Sequence, residues 1–109
     1  MNTYPMPMTD EIIQQFIQST SLPIVMDFWA EWCPPCKQVN IWMQHIAEQY
    51  LNRLVVVTVN VDENPLILDL FTVQGVPTIL LFRDGKLVHR QKDELTEADL
   101  KLLIEQHIL

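Results

Sequence analysis

Ile24-Val25-Met26-Asp27-Phe28-Trp29-Ala30-Glu31-Trp32-Cys33-Pro34-Pro35-Cys36-Lys37 is the stretch that decides the fold. Its first six residues are an apolar run of the kind that becomes a strand buried on both faces of a parallel sheet. One charge interrupts the run, Asp27. A long helix is predicted to follow, from about Pro35 to Leu51. Stepping about 100° per residue from Cys36, one face collects Val39, Met43, Ile46, Ala47 and Tyr50. Lys37, Gln38, Gln44, His45 and Glu48 fall on the other side, and Trp42, at the edge of the stripe, reads as core. The two cysteines therefore stand at a strand-to-helix junction. Cys36 is in phase with the buried face, and Cys33 lies at or before the first turn.

That placement has chemical consequences. Cysteines at i and i+3 in a first helical turn face the same side and can close on each other. A helix N-terminus offers free N–H groups and a positive dipole end, which stabilise a thiolate. Cys33, beside Trp32, is expected to be open to a partner, whereas Cys36 is shielded and can attack only its neighbour. A mixed disulfide at Cys33, resolved by Cys36, follows from this arrangement. Two other readings compete. Zinc wants four ligands, but there is no second CxxC and His45, His89 and His107 are scattered, so no metal is expected. Inert core cysteines are the second, since Cys is often buried for packing. A structural staple is a poor explanation, because a bridge across so short a loop barely restricts the unfolded chain.

Outward from the junction, strands and helices alternate. Residues 1–8, with Pro5 and Pro7, are expected to be irregular or a weak edge strand, since proline cannot donate to a ladder. Thr9 is expected to cap a helix with Asp10 and Glu11 in its first turn and Ile12, Ile13, Phe16 and Ile17 as its stripe. Ser19 to Pro23 ends it. Leu54 to Asn60 is a β-branched strand. Asn64-Pro65 opens a short helix, with Leu66, Ile67, Leu70 and Phe71 expected inward. Thr78 to Phe82 is a strand, Asp84-Gly85 a hairpin turn, and Lys86 to Arg90 the return edge strand. Thr96 caps a last helix on which Leu100, Leu103, Ile104 and Ile108 recur at helical spacing. The order α-β-α-β-α-β-β-α predicts an α/β domain spanning 1–109, with a parallel core and an antiparallel edge.

Composition narrows the function. The chain has 109 residues, 49% of them hydrophobic, and a net charge of −7. A chain of this length buries roughly 60–70% of its unfolded surface and folds without staples. Seven Lys and Arg against fourteen Asp and Glu supply no basic stripe for nucleic acid and no attraction to an anionic membrane. No apolar run reaches the roughly 20 residues a membrane span needs, and Met1 to Asp10 lacks the pattern of a signal peptide. The cytoplasm is the expected compartment, where a CxxC pair is catalytic or metal-binding more often than structural.

Asp27-Phe28-Trp29-Ala30-Glu31-Trp32-Cys33-Pro34-Pro35-Cys36-Lys37 resembles the active-site segment of the thioredoxin family. Asn60-Val61-Asp62-Glu63-Asn64-Pro65, Gly75-Val76-Pro77-Thr78 and Asp84-Gly85 match further landmarks of that family in order, from about Thr9 to the C-terminus. The resemblance implies a thioredoxin fold, a central four- to five-stranded mixed sheet with helices on both faces. It implies a thiol–disulfide oxidoreductase that reduces protein disulfides, with Cys33 as nucleophile, Cys36 as resolving thiol and no bound cofactor beyond the Cys33–Cys36 disulfide. Recycling by an NADPH-dependent flavoprotein reductase is implied in the same way. So is a cis Val76–Pro77 bond, setting the Val76 backbone beside the cysteines to pair with an extended substrate strand. In this context Asp27 is a desolvated carboxyl with a raised pKa that passes protons through water to Cys36. Trp29 packs near the site, and Trp32 is a rim contact for partners.

The chain also departs from the family pattern. Pro34 stands where glycine is usual, removing one N–H and stiffening the loop; the resulting Cys-Pro-Pro-Cys form is similar to tryparedoxin and nucleoredoxin, whose larger insertions are absent. Thr58 replaces the lysine that usually neighbours the buried aspartate, which favours the acid form of Asp27. Ile41 replaces a mid-helix proline, so the helix is expected to be straighter. Asp93 replaces a glycine that faces substrates, within an expected acidic patch with Glu94 and Glu97 that would repel acidic partners. Two further functions use the same residues. One is a redox-inactive binding or co-chaperone module docking through Trp32 and Val76. The other is a more oxidising disulfide oxidase or isomerase, which Pro34 would favour.

Overall fold

The computed structural model describes residues 5–109. Along them the chain runs β1 (Met6–Pro7), α1 (Ile13–Ser19), β2 (Ile24–Trp29), α2 (Pro34–Gln49), β3 (Val55–Asn60), α3 (Pro65–Phe71), β4 (Thr78–Arg83), β5 (Lys86–Gln91) and α4 (Glu97–His107). The five strands form one sheet in the order β1-β3-β2-β4-β5. β1 and β2 flank β3 in parallel, β4 pairs antiparallel with β2, and β5 antiparallel with β4. The β4–β5 turn sets Asp84 at φ 54 and Gly85 at φ 77. Both central residues of a type I′ hairpin need that left-handed conformation. The weak edge strand expected at the N-terminus reduces to Met6–Pro7; residues 1–4 lie outside the described ones.

The apolar run at β2 is buried on both faces, as its composition requires. Ile24, Met26 and Phe28 pack with Ile13 and Ile17 of α1 and Ile67 of α3. Val25 packs on the opposite face with Val39, Met43 and Ile46 of α2 and with Leu100 and Ile104 of α4. Each such side chain contributes about 1.5–3 kcal/mol on leaving water. Strand alternation puts Asp27 on the face of Val25, under α2. The helices thus clamp the sheet from both sides and aim the N-terminus of α2 out of the C-terminal end of β2.

Three local expectations fail. α1 begins at Ile13, so Ile12 becomes its N-cap and is 47% exposed. Asp10 does not serve the first turn of its own helix. It reaches across to α3, where Oδ1 accepts from the Ile67 N–H at 2.8 Å and Oδ2 from the Leu66 N–H at 3.1 Å. On α3, Leu66 and Leu70 are exposed instead of inward, and Ile67 alone is fully buried, with Leu68 and Phe71 packed beside it. A helix of seven residues has room for one narrow apolar face, and Ile67, Leu68 and Phe71 occupy it. Smaller shifts move the ends of the remaining elements: α2 starts one residue early and β5 runs on to Gln91. α4 keeps its expected cap, with Thr96 Oγ1 accepting from the Asp99 N–H at 3.1 Å and Asp99 Oδ2 from the Thr96 N–H at 3.2 Å.

Candidate active site

Cys33 is the N-cap of α2 and Cys36 lies in its first turn, and the two are joined by a disulfide with Cα atoms 5.4 Å apart. The Cys33 side chain caps nothing, and the first turn carries no acidic residue. Pro34 and Pro35 have no N–H to offer, and the Cys36 N–H bonds the Cys33 carbonyl at 3.2 Å. The free donors expected at this helix end are therefore largely missing. What remains for a Cys33 thiolate is the positive end of the helix dipole.

The expectation that Cys33 is open to a partner is also corrected. Cys33 is 4% exposed and Cys36 1%. The disulfide packs in one cluster with Ala30, and Trp29, Val61 and Val76 pack against it. The rim is open: Trp32 is 67% exposed, its indole Nε1–H donating to Asp62 Oδ2 at 3.0 Å, and Pro34 and Pro35 are exposed. The Val76–Pro77 peptide is cis, and Val76 packs against the cysteine pair. Thr78 Oγ1 donates to the Gly75 carbonyl at 2.6 Å, tying that loop to the start of β4.

Two shallow grooves flank the pair. One, of about 150 Å³, is lined by Trp32, Val61, Val73 and Val76. The other, of about 320 Å³, includes Pro35, Trp42, Pro77, Lys92, Asp93 and Glu94. Trp42 is thus both partly packed in the core and part of a groove wall. The acidic patch expected around Asp93 is smaller than the sequence implied. Glu97 is held by Lys101 and His45, each at 3.1 Å. Partial burial opposes its ionisation, but those two partners outweigh it and lower its pKa. Lys92 also shares the groove with Asp93.

Asp27 is fully buried, and its Oδ1 has no hydrogen-bond partner among the described residues. Burial pushes its pKa up to about 7. Its strand neighbours in register are Thr58 on β3 and Ile79 on β4, so no cation offsets the desolvation from either side. One neighbour escaped the sequence reading. With its amide nitrogen turned inward, Asn40 donates to Asp27 Oδ2 at 2.6 Å and to the Cys36 carbonyl at 3.3 Å. The available signal was a polar residue one turn beyond Cys36, on the same helical face. Asn40 also borders a solvent-open cleft of about 290 Å³ with Trp29, Ala30, Glu31, Cys36 and Lys37. Asp62, the partner of Trp32, carries no sequence signal of that contact. Among the described residues no group of three or more His, Cys, Asp or Glu is placed to hold a metal; His89 instead stacks on His107 at 4.5 Å.

Known proteins place this architecture. The thioredoxin family model matches residues 5–106. The chain is 36% identical over 100 residues to the thioredoxin of Acidithiobacillus ferridurans, covering 92% of this chain and 93% of that one. It is 34% identical over 100 residues to thioredoxin 1 of Synechococcus elongatus, covering 92% and 94%. To thioredoxin 1 of Chlorobaculum tepidum it is 41% identical over 80 residues, covering 73% and 79%. A mixed sheet with helices on both faces, a disulfide at the mouth of α2 and likeness along nearly the whole chain agree: the chain belongs to the thioredoxin family, and it is a thiol–disulfide oxidoreductase whose redox centre is the Cys33–Cys36 disulfide.

Proposed function

We propose that the chain reduces disulfides in protein substrates by a two-step exchange in which Cys33 attacks and Cys36 resolves. In the reduced protein the Cys33 thiolate attacks one sulfur of the substrate disulfide, forming a mixed disulfide and releasing the first substrate thiolate. Cys36, its proton passed on, then attacks the Cys33 sulfur, which regenerates the internal disulfide and releases the second substrate thiolate. Two electrons pass to the substrate. The Cys36 proton goes to Asp27 through water, and a carboxyl whose pKa lies near 7 is matched to accept and return it at neutral pH. The reading requires that, once the S–S bond is broken, the Cys33 sulfur becomes reachable at the rim formed by Trp32 and Val76.

An extended substrate segment would lie between the two grooves, pairing with the Val76 backbone and contacting Trp32, Pro77 and Asp93. The rest of the active-site loop, Pro34, Pro35 and Lys37, shapes the entry to the pair. An NADPH-dependent flavoprotein reductase in the cytoplasm would return two electrons to the disulfide after each cycle. The observation that carries this reading is the position of the pair at the mouth of α2 with Val76 against it.

Insulin reduction by wild type and Cys33→Ser tests it. Turnover in wild type and none above background in Cys33→Ser is the expected result. Equal, negligible rates in both would instead favour a docking module that needs no redox cycle. The direction of electron flow is read from the equilibrium with glutathione, in which an oxidase would have a much less negative potential.

A further inference from the structure

The side chain that reaches the buried Asp27 carboxyl comes from the helix that carries both cysteines. With its amide nitrogen turned inward, Asn40 bonds Asp27 Oδ2 at 2.6 Å and the Cys36 carbonyl at 3.3 Å through that one nitrogen. The opposite orientation would set the amide oxygen against the Cys36 carbonyl oxygen and would serve only the neutral acid. The inward nitrogen makes two bonds, and one of them favours the ionised carboxylate. Asn40 is half-buried and belongs to the wall of the cleft that opens to solvent beside Cys36. It therefore joins three things: the carboxyl, the backbone of the resolving cysteine, and the nearest open space.

We propose that Asn40 is a positioning residue for proton transfer at Cys36, its amide holding the Asp27 carboxylate against the first turns of α2 and setting how readily that carboxyl gives up its proton. The inference rests on the reading of Asp27 as proton acceptor and extends it. Around Asp27, β3 contributes Thr58 and β4 contributes Ile79, neither of which titrates. From α2 come Cys36 and Asn40, and Glu31 and Lys37 line the cleft. With no lysine at position 58, a neutral donor on the facing helix is the polar group that touches the carboxylate.

The test follows the carboxyl ¹³C resonance of Asp27 against pH in the oxidised protein, for wild type, Asn40→Ala and Asn40→Leu. Alanine suits a helix, so the first variant is expected to fold; leucine keeps the branched shape and heavy-atom count of asparagine, in a somewhat larger side chain, without its donor. The Asp27 midpoint should rise by about half a pH unit or more in both variants. The pH midpoint of the resolving step should rise with it, and Asn40→Ala should leave that profile unmoved in an Asp27→Asn background. Midpoints that coincide with wild type in both variants would overturn the proposal, as would a shift confined to Asn40→Ala, which would mark a packing effect. Because the resonance reports Asp27 directly, it reads the role of Asn40 even if Asp27→Asn turns out not to alter the resolving step.

Discussion

Helices α2 and α4 begin in opposite ways. At α4, Thr96 and Asp99 exchange bonds in a complete capping box, and Glu97 and Asp99 place negative charge in the first turn. At α2 there is no side-chain cap, no acid in the first turn, and two prolines where N–H donors would be. α3 is a third case: its own Asn64 makes no cap, and the Asp10 carboxylate arrives from a distant segment to bond two of its N–H groups. The comparison teaches that the positive ends of α3 and α4 are neutralised by acids, which stabilise the fold. The end of α2 is left without one, which in the proposed mechanism reserves it for the Cys33 thiolate.

The largest expected effect breaks that comparison at its centre. Cys33→Ser should abolish insulin reduction, whereas Thr96→Ala, at the other kind of helix end, should leave the rate per folded molecule unchanged. Asp27→Asn should act on stability. The folded pKa of about 7 lies above the unfolded value, so the neutral acid is bound more tightly in the native state. Its favourable contribution is complete below about pH 4 and is lost as pH rises through about 7. Wild type should therefore weaken on the order of 4 kcal/mol relative to Asp27→Asn between those limits. Urea unfolding of the oxidised proteins at several pH values checks this, and a pH-independent difference would contradict it.

Smaller effects sharpen the contrast. Asp10→Ala removes two charged hydrogen bonds from the start of α3 and should cost about 1–2 kcal/mol, and Thr96→Ala about 1 kcal/mol, both by urea unfolding. Pro34→Gly restores an N–H at the first position of α2. It should raise the fraction of Cys33 present as thiolate at a given pH, read from the thiolate absorbance of the reduced protein. An unchanged thiolate fraction would mean that the helix dipole alone stabilises it.

The order of elements, the hairpin turn and the cap of α4 were legible because their signals are local. Val-rich strands, Asp84-Gly85 and the capping Thr96 each lie within a few residues of what they determine. The function of Asp10 was not legible, since its bonds reach Leu66 and Ile67 and nothing near Thr9 betrays them. The site divides the same way. The spacing of Cys33 and Cys36 and the misplaced charge of Asp27 stand out in one dimension. The packing of Val61 and Val76 over the sulfurs, and the reach of Asn40 to Asp27, depend on how three separate segments converge. The expected openness of Cys33 failed for that reason: helical phase predicts direction, but not what a loop from another part of the chain lays on top.

The most direct measurement of the central claim is alkylation of the fully reduced native protein by iodoacetamide at neutral pH, with each cysteine quantified by peptide mass spectrometry over time. The account predicts that Cys33 is modified first and that Cys36 is largely spared. Equal modification of both, or faster modification of Cys36, would contradict the assignment of Cys33 as the attacking thiol at the open end of α2.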